Sequence, residues 1–191
     1  MHTDELWQVF DTNGERISSP GYKSSLGNPK KGTTNQYIGA ASVWLYRRTG
    51  SGEIEILFQQ RSPKVKNGGL WDVSAGGHIN NNERVVDAAV RELYEEIGAK
   101  ARPDDLEFIF HFKTFFDVQM FINYFLCDWT GRPDDFNFDD GEVSQVKWVK
   151  LADFNQFIDK NAKPPLKNGH YTRELTKYWL EKKQADGNLT Q

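Results

Sequence analysis

A single cysteine among 191 residues, Cys127, leaves no partner for an internal disulfide and cannot build a thiolate metal site by itself. That poverty fits a reducing compartment. The opening "MHTDELWQVF" lacks the basic-then-apolar order of a secretory leader, and no apolar run approaches the roughly 18 residues that suggest a membrane span. The expectation is a cytoplasmic protein with no membrane partner. Charge of one sign is also scarce: 24 Lys and Arg stand against 27 Asp and Glu, a formal net charge of -3, which offers no global attraction to nucleic acid or anionic lipid. Any phosphate must be bound locally. The chain also lacks internal repeats, low-complexity tracts and a second-domain boundary.

Large apolar side chains are plentiful, with 13 Phe, 7 Tyr and 6 Trp, enough to offset the entropy of ordering one domain of this length. "LWQVFDTNGERI" reads as two short strands around Asn13-Gly14, a dipeptide suited to a hairpin turn with two positive-φ positions. Residues 18–36, rich in Gly, Pro, Ser and Lys, read as a loop, so 1–36 form an N-terminal hairpin and loop packed on the domain. "YIGAASVWLYRR" and "EIEILFQQRS" are strands around "TGSG", and "LWDVSAGG" is a buried strand leading to a glycine turn. A helix over 83–97, strands in "LEFIFHFKTFF", "MFINYFLCDW" and "VSQVKWV", and helices near "LADFNQFIDK" and "YTRELTKYWLEKK" complete a domain over 37–183, with 184–191 a flexible tail. Strands on both sides of a central helix, many apolar on both faces, predict an α/β fold with a mixed central sheet and helices against it.

The helix over 83–97 carries acids in an awkward place. At about 100° per residue, Val86, Ala89, Val90, Leu93 and Ile97 share one stripe, and Glu92, Glu95 and Glu96 share another arc. Glu92 lies three and four residues from the other two, a mildly unfavourable arrangement, and Glu95 and Glu96 sit near the negative end of the helix dipole before Gly98. A solvated face is the ordinary explanation for such a trio. The preceding Gly76-Gly77 changes it, because paired glycines let backbone approach a ligand closely, and a carbonyl from that turn can join the acids. A set of hard oxygens suits Mg2+ or Mn2+ and disfavours zinc.

Gly77, Glu83, Arg91-Glu92-Leu93, Tyr94, Glu95-Glu96, Ile97, Gly98 and Ala99 together resemble the Nudix box, whose seven polar or glycine positions all occur here within residues 77–99. Flanking strands extend the similarity to roughly residues 37–158. Asn82 stands where many members have glycine, and asparagine tolerates left-handed backbone. The resemblance implies an α/β/α sandwich that hydrolyses a diphosphate bond in a nucleoside diphosphate linked to another group. It implies that Glu92, Glu95 and Glu96 hold Mg2+, or Mn2+, with the Gly76 carbonyl, that Arg91 pairs with Glu83 to hold the loop on the helix, and that Gly77 and Gly98 give structural support. Glu95 leads as general base, with Glu92 second. Glu142, in "DDGEVSQVKWV", is a further metal ligand or base by analogy with similarly placed acids, set against simple exposure. Arg61 and Lys64 lie just upstream of the box and are candidates for the substrate's phosphates. His78 either serves the site or orders its loop, and Trp44, Tyr46 and Trp71 read as core rather than as base-stacking residues.

The partner expected is a small diphosphate compound, with no nucleic acid. Many family members pair as dimers, and a homodimer is compatible with the sequence. Loops at 18–36, 61–69 and 128–141 lie outside the box and would choose the substrate. "GLWDVSAGGHI" also resembles the isopentenyl-diphosphate isomerase branch of the superfamily. In that enzyme a cysteine precedes the Gly-His pair, whereas here Gly76 does. A third reading is a Nudix-fold nucleotide sensor, which can lose box acids and usually sits beside a DNA-binding domain; all the box acids remain here.

Overall fold

The structure, a computed structural model, describes residues 6–22, 35–115 and 119–188. Strand β3 (Tyr37–Arg48) is its axis. One edge of β3 pairs in parallel with β8 (Gln119–Asp128) from Ile38–Met120 to Tyr46–Asp128. Three strands share its other edge. β1 (Leu6–Phe10) takes residues 37 and 38, β6 (Ala75–His78) takes 40–43, and β4 (Ile54–Arg61) takes 46–48, all antiparallel. β2 (Arg16–Tyr22) extends the sheet beyond β1, β7 (Leu106–Phe115) flanks β8, and β5 (Trp71–Asp72) and β9 (Val143–Lys150) pair with β4. The sheet is therefore mixed, as its two-sided apolar strands foretold.

Alternation along the strands divides the core in two. Ala41, Val43 and Leu45 of β3 face helix α1 (Val85–Ile97) with Leu57, Phe121, Phe125 and Cys127; Trp44, Tyr46, Ile56, Phe58 and Leu126 face the opposite side. There the covering layer comprises α2 (Phe154–Asn161), α3 (Pro164–Asn168) and α4 (His170–Asn188), which contribute Phe154, Ile158, Leu166 and Leu180. The result is an α/β/α sandwich, with Trp44 and Tyr46 in the core rather than at a stacking surface.

Four local expectations change. "LWDVSAGG" is not one strand: β5 pairs with β4 and β6 with β3, and Ser74 bridges the gap, its Oγ donating to Leu57 O and accepting from Leu45 N. That hydroxyl supplies partners to backbone groups where the two strands part. The turn at Asn13-Gly14 needs one positive φ, at Gly14 (+86°), because Asp11 Oδ1 accepts from the N–H of Asn13 and Glu15; the "TGSG" turn repeats the backbone pattern with Gly52. β2 runs to Tyr22, into the segment read as loop; residues 23–34 lie outside the described residues. Finally, α4 continues to Asn188, past the boundary at 183, and Gln184 Oε1 accepts from Ile54 N. No described helix is long and apolar enough to cross a membrane.

Candidate active site

The box begins as a strand, turns, and returns as a helix. β6 delivers Gly76 and Gly77 at the sheet's edge, an irregular loop over 79–84 follows, and α1 returns across the sheet face. The helix starts at Val85, two residues later than its periodicity suggested, because Arg84, the residue before it, keeps an extended backbone (φ -69°, ψ 145°); Asn82 in the preceding loop is left-handed (φ +63°). Ala88, Ala89, Leu93 and Ile97 are buried, while Val86 and Val90 are half-buried, so the apolar stripe is rotated slightly from the one read off the wheel. Gly98 ends the helix at φ +68°, with its N–H on Tyr94 O, and a Cβ there would also lie 2.7 Å from Asn137 Oδ1.

Arg91 organises the acids. Its Nε donates to Glu83 Oε1 (2.9 Å) and its Nη2 to Glu83 Oε2 (3.1 Å), while Nη1 donates to both Glu92 Oε1 and Glu95 Oε2 (2.8 Å each). Nη2 also reaches His78 O (2.8 Å), so one guanidinium ties helix, loop and glycine turn together. Burial opposes its charge, but the bonds to Glu83, Glu95 and Glu92 prevail and raise its pKa. Glu92 is shifted upward by burial, against the pull of Arg91. Its carboxylate lies under the turn: a Cβ on Gly77 would fall 2.3 Å from Glu92 Oε1, so a larger residue there would displace the carboxylate.

Glu96 has a different environment. It is 5% exposed, and its Oε2 accepts from Gly76 N (2.9 Å) and from Gln59 Nε2 (3.0 Å). Burial pushes its pKa up to about 8, despite these two donors. Gly76 thus meets Glu96 through its N–H. Glu95 is the outward member of the trio, its side chain half exposed.

The other candidates make contacts of their own. Arg61 Nε donates to Lys66 O (2.9 Å), its Nη1 lies 3.8 Å from Asp72 Oδ2, and its backbone closes onto Gly69 and Leu70, so it braces its own loop. Lys64 is exposed on that loop. Glu142 is exposed at the start of β9, and its carbonyl accepts from Ser62 N (2.7 Å). The His78 ring stacks on Trp7 (centroids 3.9 Å, planes 9° apart), the loop-ordering role. Trp71 packs edge-on against Phe157. Cys127 is wholly buried, and burial pushes its thiol up to about 12, which leaves it inert. Sequence reasoning missed Gln59, which holds Glu96, and Asp72, 4% exposed and paired with Lys163. It also missed the N-terminal hairpin's grip on the box: Gln8 N bonds Ile79 O, Asn81 N bonds Leu6 O, and Arg16 reaches Glu83 O.

Among the described residues no three His, Cys, Asp or Glu converge closely enough to hold a metal ion, since Arg91 stands between Glu92 and Glu95. The donor chemistry nonetheless fits a hard divalent cation: the acids are oxygen donors, and Arg91 engages one oxygen each of Glu92 and Glu95.

The family model for the NUDIX domain matches residues 36–170, spanning the box and strands β3 to β9 with α1, α2 and α3. The chain belongs to the Nudix family. Nudix hydrolase 3 of Arabidopsis thaliana is 30% identical over 156 residues, 75% of this chain and 20% of that protein. The isopentenyl-diphosphate Δ-isomerase of Photobacterium profundum is 45% identical over 60 residues, 31% of this chain and 33% of the enzyme. This Nudix chain therefore spans a fifth and a third of those relatives' lengths. The crystal structure of DR0079 from Deinococcus radiodurans superposes with a TM-score of 0.65 at 18% identity, covering 85% of this chain and 94% of that one.

Proposed function

We propose that this Nudix chain is a divalent-metal-dependent pyrophosphohydrolase, cleaving the diphosphate bond of a small molecule such as a nucleoside diphosphate linked to another group. The observation that carries this reading is the gathering of Glu83, Glu92 and Glu95 around one guanidinium, with Glu96 buried against the glycine turn beside them. The close approach of Gly77 to the Glu92 carboxylate supports the same reading.

A diphosphate is already anionic, so attack by water needs charge neutralised and a proton removed. Mg2+ or Mn2+, when bound, supplies the neutralisation and acidifies water. Glu92, Glu95 and Glu96 would hold it, and the acids' own roles follow from their surroundings. Glu95, half exposed, can meet solvent and accept a proton, which makes it the leading base; Glu92, enclosed under Gly77, is second and better suited to ligation. Arg91 and Glu83 hold the loop against the helix and do not react. Glu142 remains a candidate ligand from the loop before β9.

Isomerisation of isopentenyl diphosphate is the alternative that the 60-residue similarity favours. No thiol precedes Gly77-His78 in this chain, and Cys127 lies in the core, so the hydrolase reading stands first. A chromatographic screen for phosphomonoester products and free phosphate over diphosphate compounds with Mg2+ and Mn2+ decides between them. Turnover is expected, with Glu95→Gln and Glu92→Gln each lowering it roughly 100-fold or more while the fold is kept. Conversion of isopentenyl diphosphate to its isomer without phosphate release would overturn the assignment.

A further inference from the structure

Gln59 is 1% exposed, at the point of β4 where the strand pairs with both Asp72 and Val146. Its side chain lies on the α1 side of the sheet, and its Nε2 donates to Glu96 Oε2 (3.0 Å). The other half of the same amide, Oε1, is buried and has no hydrogen-bond partner. A buried acceptor without a donor is unfavourable, and an amide whose donor end is fixed cannot turn to find one. Reversing the amide would leave Nε2 orphaned in its place and, once a cation ionises Glu96, would turn an oxygen lone pair toward a carboxylate, so the observed orientation is the one that suits the loaded site.

An apolar side chain of similar length would fill this position without leaving an unpaired atom. The carboxamide therefore points to a donor that belongs to the loaded site. A hydrated divalent cation brings such donors, because Mg2+ keeps several waters when protein carboxylates bind it. Residues that orient metal ligands in this way affect affinity without touching the ion.

We propose that Gln59 is a positioning residue for the divalent cation: its Nε2 fixes the Glu96 carboxylate, and its Oε1 accepts a hydrogen bond from a water in the cation's hydration shell. This rests on the metal-dependent reading above and adds a residue from outside the box to it. It also makes a demand on stability. In the empty site the side chain contributes one bond to a buried carboxyl and leaves one acceptor unpaired, two effects that oppose each other.

Calorimetric titration of the metal-free chain with Mn2+, alongside thermal unfolding of the same samples without metal, tests the idea on the wild type, Gln59→Met and Glu96→Gln. Gln59→Met should weaken Mn2+ binding by about 10- to 100-fold while its metal-free unfolding midpoint stays close to that of the wild type, and Glu96→Gln should weaken binding as well. Wild-type affinity in Gln59→Met, with Glu96→Gln impaired, overturns the role of Gln59 and leaves the metal site standing. A loss of Mn2+ binding in Gln59→Met no greater than its loss of folded protein would make the residue a structural prop and overturn it too. Absence of Mn2+ binding to the wild type would reject the metal-dependent reading itself.

Discussion

Glu92, Glu95 and Glu96 share one arc of a helical wheel, yet they have three environments: under a glycine, beside solvent and inside the core. Spacing along a helix gives angle and not depth, so the trio was legible in the sequence and the burial of Glu96 was not. Arg61 shows the same limit, because proximity to the box in sequence could not reveal that its guanidinium turns back to Lys66 O. Gln59 gave no signal, since a glutamine near the end of a strand reads as an edge residue. The depth of Glu96 has a measurable consequence. Its carboxyl, with an ordinary value of 4.5, titrates at about 8 when folded, so the folded state holds a proton that the unfolded chain has released. The stabilisation is complete below the ordinary value and is lost as pH rises through about 8. Metal-free protein should therefore lose stability, by an amount on the order of a few kcal/mol, between pH 5 and pH 8.5. Urea midpoints across that range check this, and Glu96→Gln should flatten the slope; an equal slope in the variant would assign it to other groups.

At the scale of elements, hydrophobic alternation and turn residues located most strands and both long helices. The small exceptions have identifiable causes. β5 and β6 were read as one strand because Val73 and Ser74 continue its apolar character, and only the Ser74 hydroxyl shows where it changes partners. α3 escaped notice because "KPPL" looks like a breaker, although Pro164 is well placed in the first turn of a helix. The attachment of the N-terminal hairpin to the box was invisible, since Trp7 and His78 are 71 positions apart in sequence. That attachment predicts that Trp7→Ala does more than leave a hole. Loss of a buried tryptophan costs about 3–5 kcal/mol, and here the loss frees the loop from Ile79 to Glu83 that Arg91 holds to the helix. Denaturant unfolding should register the first effect, and faster amide exchange at Asn81 the second. Unchanged exchange at Asn81 would show that the hairpin is not coupled to the box.

The whole molecule is one mixed sheet between two helical layers, and its two cores follow from the alternation of β3, β4 and β8. Fold class was readable because those strands are apolar on both faces. Strand order was not, since the parallel pairing of β3 with β8 joins segments about eighty residues apart and leaves no local mark. The architecture places the acid-bearing face of α1 over the edge of β3 where β6 ends, and the glycine turn, Gln59 and the N-terminal hairpin meet there from three parts of the chain. Family membership and this convergence support the proposal that the gathered acids hold a divalent cation. Anomalous diffraction from crystals soaked in Mn2+ measures that directly. The account predicts a peak within coordination distance of Glu92 and Glu96, with the Arg91 contact to Glu92 or Glu95 opened to admit it. Manganese bound elsewhere, with Arg91 still joined to both acids, would contradict it.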